Sequence, residues 1–99
     1  MSLKNNLEKQ IEVADWTALK SHFERQALIL IRPPLTLLEV GLAFAEDEKA
    51  LVENWLKNGQ IWKCHDEDIE AFGIHSATQF EFMILQPFVL AQLIRLQAH

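Results

Sequence analysis

Three consecutive residues, Cys64, His65 and Asp66, carry the side chains of a thiol nucleophile, its base and an orienting acid. Their spacing works against that chemistry. Ile61 to Cys64 reads as a short strand, and neighbouring side chains on a strand point to opposite faces, so thiol and imidazole are turned apart. Asp66 stands where a helix begins and is expected to serve as its N-cap. The run His65, Asp66, Glu67, Asp68 offers metal-ligand types, but consecutive residues fan outward around a helix start instead of converging on one ion. Neither H-x-x-x-H nor C-x-x-C spacing occurs anywhere in the chain. Acids in a first helical turn are accounted for by the helix macrodipole, which favours each by ~0.3 to 1 kcal/mol. The residues therefore give no catalytic constellation and no metal site, and no cofactor is expected.

Glu46, Asp47 and Glu48 form a second acidic cluster, at a turn between two expected helices. Carboxylates do general acid–base work where burial separates their pKa values, whereas three acids crowding a turn read as a solvated group. Arg32 lies at the end of an expected strand, just before the helix that starts at Thr36, where free backbone N–H groups could hold a small anion beside it. Pro33 and Pro34 stand where a phosphate cradle normally has Gly. Arg32, Glu46 and Asp47 are the candidate ligand-binding residues. His22, His75 and His99 have no recognisable partners and read as surface or loop positions. Glu39, an acid within an apolar helix, is explained by capping.

Periodicity and capping place the elements around these residues. Leu7, Ile11 and Ala14 recur at helical spacing, which predicts a first helix over Leu3 to Val13. Asp15 reads as the N-cap of a second, with Trp16, Leu19 and Phe23 inside. Ala27 to Ile31 is a continuous apolar run stopped by two prolines, hence a strand buried on both faces and central in its sheet. Thr36 and Glu39 form a capping box, flanked by Leu35 and Val40 as a hydrophobic staple, and start a helix running to about Ala45. Asp47 is expected to cap the next helix, whose buried stripe is Leu51, Val52, Trp55 and Leu56, with Glu53 and Lys57 paired outside. Gly59 and Gly73 read as the C′ residues of two helices, the second with Ile69 and Ile74 in apolar contact. Phe80 to Gln86 alternates like a strand. Phe88 to Gln97 fits helix by its Leu, Ala and Gln content or further strand by Val89 and the run before it, and helix is the preferred reading. The sum is an α+β fold, a single compact domain with a small, about three-stranded sheet packed by helices.

At 99 residues the chain is long enough for one core and too short for two. A lone cysteine excludes an internal disulfide and suits a reducing compartment. The polar start and the absence of any run of about 18 apolar residues point to a soluble, cytoplasmic protein without membrane contact. A formal charge of −5 argues against nucleic acid as a partner. Eight of the 14 acids and three of the nine bases lie between Glu46 and Glu70, so that window alone carries the whole excess of negative charge.

Several segments resemble, in order, a known family: DW-x-x-L at Asp15 to Leu19, L-x-L-x-EV at Leu35 to Val40, AEDE at Ala45 to Glu48, V-x-x-WL-x-x-G at Val52 to Gly59, and PFVL-x-Q at Pro87 to Gln92. The set is similar to the bacterial domain-of-unknown-function family numbered 2288. Members of that family often carry Asp at the position of Thr36, and both residues cap helices. The resemblance implies no activity and transfers no catalytic residue.

The C-terminal segment Phe80 to Leu96 holds eleven large apolar residues and only two charges, Glu81 and Arg95. That excess over what a small sheet can bury points to a contact surface, with Phe82, Phe88, Leu90 and Leu93 as its expected residues; the alternative is that the segment simply completes the core. The preferred reading is a small interaction module with no catalytic constellation in its sequence, forming a homo-oligomer, most simply a dimer, or meeting another protein. The alternative is a small-molecule binding protein or enzyme with a pocket beside the acidic window 46–70.

Overall fold

Helix capping divides the chain into ten elements in a computed structural model that describes residues 3–94. They are α1 (Leu3–Glu8), β1 (Glu12–Asp15), α2 (Trp16–Glu24), β2 (Leu28–Ile31), α3 (Leu37–Ala45), α4 (Lys49–Lys57), β3 (Ile61–Lys63), α5 (Asp66–Ala71), β4 (Gln79–Leu85) and β5 (Phe88–Leu93). Asp15 caps α2 through the Ala18 N–H, at 3.2 Å. At α3 the box is reciprocal: Glu39 N–H donates to Thr36 Oγ1 at 3.2 Å, and Thr36 N–H donates to Glu39 Oε1 at 3.0 Å.

Helix endings follow one rule. Gly59 and Gly73 take left-handed backbone at φ 73° and 63°. After Gly59, Gln60 N–H reaches back to Trp55 O at 2.9 Å; after Gly73, Ile74 N–H reaches Ile69 O at 2.8 Å. These bonds are the long arm of a Schellman motif. The same motif closes α2 and α3 without glycine. Gln26 (φ 62°) and Asp47 (φ 57°) occupy the C′ positions, with Ala27 N–H on His22 O and Glu48 N–H on Ala43 O. Asp47 therefore ends α3 instead of starting α4, whose N-cap, Glu48, makes no side-chain capping bond. Asp66 is likewise the first helical residue of α5, and His65 holds the N-cap place.

The five strands form one sheet in the order β1-β4-β5-β2-β3, with β2 and β5 parallel and every other pair antiparallel. This corrects the expected three strands in two places. The segment expected to continue the first helix is β1: Val13 and Ala14 pair with Glu81 and Phe80, and strand pairing overrides the helical spacing of Leu7, Ile11 and Ala14. Phe88 to Leu93, expected as helix, is the middle strand, because burial on both faces outweighs the small helix preference of Leu, Ala and Gln. Residues 95–97 of that expected helix lie outside the described residues. β2 is internal as expected, although β5 holds the centre.

Helices cover both faces. On the first, Leu7, Leu37, Val40 and Trp55 from α1, α3 and α4 pack on Ile29, Ile31, Ile61, Met83 and Leu90. On the second, Trp16 and Leu19 of α2 and Ile69 and Phe72 of α5 pack on Leu28, Leu30, Phe80, Val89 and Ala91. Gly41 lets α3 lie close on β4: a Cβ there would come within 2.7 Å of Met83 Sδ. The stripe of α4 is narrower than its sequence suggests. Trp55 is buried, while Leu51 and Leu56 are 37% and 47% exposed. Glu53 and Lys57 form no ion pair; among the described residues only Lys49–Asp47 and His65–Asp68 come within range.

The left-handed non-glycine positions yield a test. An L side chain costs about 1 kcal/mol there, so Gln26→Gly and Asp47→Gly should each raise unfolding free energy by up to about that amount, measured by urea denaturation. Ala at Gly59 or Gly73 should lower it.

Candidate functional site

The Cys64 thiol and the His65 imidazole take different partners. The thiol is buried, 5% exposed, and Sγ points to the His65 carbonyl oxygen at 3.9 Å. Burial, with added repulsion from Asp68 and then Asp66, pushes the thiol pKa up to about 12. The His65 imidazole faces Asp68 instead, with Nδ1 3.9 Å from Oδ2, while the His65 N–H donates to the same oxygen at 2.8 Å. Asp68 thus ties down the start of α5. Among the described residues, no three His, Cys, Asp or Glu side chains converge to hold an ion.

The acidic turn borders an open cleft of about 450 Å³ between the α3–α4 junction and the β4–β5 hairpin. Its floor is apolar, from Phe44, Val52, Leu85 and Phe88, with the two phenyl rings edge to face at 5.9 Å. Asp47, Glu48 and Glu53 stand on the rim with one base, Lys49. Lys49 Nζ reaches Asp47 Oδ2 at 4.0 Å, both side chains well exposed, a pair that water leaves weak. Of the sequence candidates, Asp47 lies on this cleft. Glu46 does not line it and closes α3 through its N–H to Leu42 O.

Arg32 is not at the start of α3. The Glu39 carboxylate already occupies that end, accepting from Thr36 N–H and Oγ1. Arg32 turns the other way: Nε donates to Gly59 O at 3.2 Å, and the guanidinium carbon sits 4.7 Å from the Trp62 ring centroid. A small apolar slot of about 60 Å³ opens beside it.

The expected contact residues divide. Leu90 is fully enclosed, Phe82 and Leu93 pack half-buried against the second core, and Phe88 reaches the acidic cleft. The apolar excess that suggested a surface is largely consumed by covering β4 and β5 on both sides. Sequence reasoning missed Phe44, Val52 and Glu53 as cleft residues. No local signal marks them, because the hairpin that faces them is more than 30 positions away in the chain.

The model for a protein of unknown function, DUF2288, matches residues 2–93. The chain belongs to this family. The segments that carried the likeness have structural duties: Asp15 caps α2, Trp16 and Leu19 fill the second core, and Gln92 Nε2 donates to Leu35 O at 2.7 Å, fastening the loop before α3 to the sheet. A solution structure of PA1075 from Pseudomonas aeruginosa is similar over 100% of this chain and 92% of that one, at 25% identity and a TM-score of 0.79. No curated protein matches the chain. Among the described residues of this DUF2288 member, no helix is long and apolar enough to cross a membrane.

Cys64 reactivity checks the first of these assignments. With its pKa raised from 9.0 to about 12, the native thiol should react with a maleimide at pH 7 to 8 far more slowly than a free thiol, and at the free rate once unfolded. Folding favours the protonated thiol, so this group's contribution to stability is intact below pH 9 and is lost as pH rises toward 12.

Proposed function

We propose that the protein is a non-catalytic binding module that receives a basic, partly apolar segment of another protein in the acidic cleft. The observation that carries this reading is the pairing of an aromatic and aliphatic floor with a rim of three acids and one lysine. Such a cleft suits a Lys or Arg side chain whose aliphatic stem lies on Phe44 and Phe88 while its charge meets Asp47, Glu48 or Glu53. The wider window adds attraction at longer range, since it carries the whole net charge. No polar or charged residue among the described ones is buried, so the side chains on the rim meet water and are open to an incoming segment.

Titrating the isotopically labelled protein with a capped Arg-Leu hexapeptide should move backbone resonances of residues 43–53 and 85–88, with affinity falling as salt is added. A Glu-Leu hexapeptide should leave them unmoved. Neutralising Asp47, Glu48 and Glu53 together to their amides should weaken the complex by about tenfold or more. Equal binding of both peptides sinks the proposal. A cleft of this volume lies in the range of small-ligand sites, roughly 300 to 1,000 Å³, so a free arylalkylamine that binds as well as the peptide would favour the small-molecule reading.

Self-association is the second reading, supported by the exposure of Leu51 and Leu56 on α4 and of Ile84 beside the hairpin. Sedimentation equilibrium at tens of micromolar should then give twice the 11.5 kDa chain mass, and Leu56→Glu should return it to the monomer. A monomeric mass throughout removes that reading and leaves the cleft proposal standing.

A further inference from the structure

We infer that the slot at Arg32 and Trp62 is a second binding site, separate from the acidic cleft, for a small carboxylate with an apolar body. Arg32 directly follows β2, at the carboxyl end of the parallel β2–β5 pair. It is the way this side chain is held that points to a ligand. One contact uses Nε, on Gly59 O, and the other uses the face of the guanidinium, over the indole of Trp62. Both partners are neutral, and together they fix the plane of the group while leaving its two terminal nitrogens uncommitted. Among the described residues no carboxylate comes within ion-pair range of Arg32, although the chain has 14 acids and a formal charge of −5. A fixed guanidinium fork with free N–H groups matches a carboxylate in bidentate geometry.

The slot beside it sets the rest of the ligand. Its walls are Leu30, Phe72, Phe80 and Leu93, with Trp62 under the arginine. Its volume of about 60 Å³ takes a small branched aliphatic group or the edge of a ring whose remainder stays outside, and apolar walls give water few hydrogen-bond partners there. A phosphate would want several donors around it, whereas one guanidinium over an apolar slot fits a singly charged group with a greasy tail.

The full labelled chain should be titrated with phenylacetate and isovalerate, and with phenylacetamide as a neutral twin of the first. At least one of the two acids should produce saturable shifts at the Arg32 Nε–H and the Trp62 indole N–H, with no change at the acidic cleft. Phenylacetamide, and Arg32→Gln titrated with the same acid, should bind at least about tenfold more weakly, the loss of one charge-assisted pair. Arg32 is exposed, so the variant is expected to fold; an unchanged spectrum away from the slot establishes that. The inference is overturned if neither acid gives a saturable shift, if the amide binds as well as the acid, or if Arg32→Gln binds undiminished.

Discussion

Everything in this fold hangs on β5 being covered on both faces and paired on both edges. Val89, Leu90 and Ala91 are almost wholly removed from water, Val89 and Ala91 toward α2 and Leu90 toward α1, α3 and α4. A strand in that position cannot alternate apolar with polar residues, and it reads as a near-continuous apolar run. It also joins two otherwise separate pairs, β1 with β4 and β2 with β3, into one sheet. The helices follow from that sheet: α1, α3 and α4 lie over one side and α2 and α5 over the other.

Much of the helical architecture was legible in the residues. Asp15, Thr36 with Glu39, Gly59 and Gly73 act locally, through bonds spanning three to five positions, and the structure uses each as read. Asp47 and Gln26 were not legible as helix endings, because a left-handed residue other than glycine carries no distinctive side-chain signal. The strands β1 and β5 were obscured for a different reason. Their identity depends on partners distant in the chain, Phe80 and Glu81 for β1 and Leu28 to Leu30 for β5, and neither local propensity nor spacing encodes such pairings.

The candidate sites follow the same division. The acidic window was visible as composition, and Asp47 and Arg32 were visible as charged residues at element ends. What made them parts of clefts was not. Phe44, Leu85 and Phe88 become one floor only when the hairpin folds back over α3, and Arg32 meets Trp62 only because β3 pairs with β2. Cys64 is the converse case: three suggestive neighbours in sequence are separated by burial and by the start of α5, and the thiol is left buried beside the His65 carbonyl.

The parallel pairing of β2 with β5 makes closure of the sheet depend on a contact between distant parts of the chain. Without β5 the chain still has β1 to β4, yet β2 and β4 would each present a row of unpaired backbone N–H and C=O groups where β5 belongs. Such an edge is an invitation to pair with another chain, and about 60 residues separate the two strands that must meet to close it. Loss of β5 would thus leave two separate strand pairs with open edges, and the integrity of the whole sheet rests on one six-residue segment.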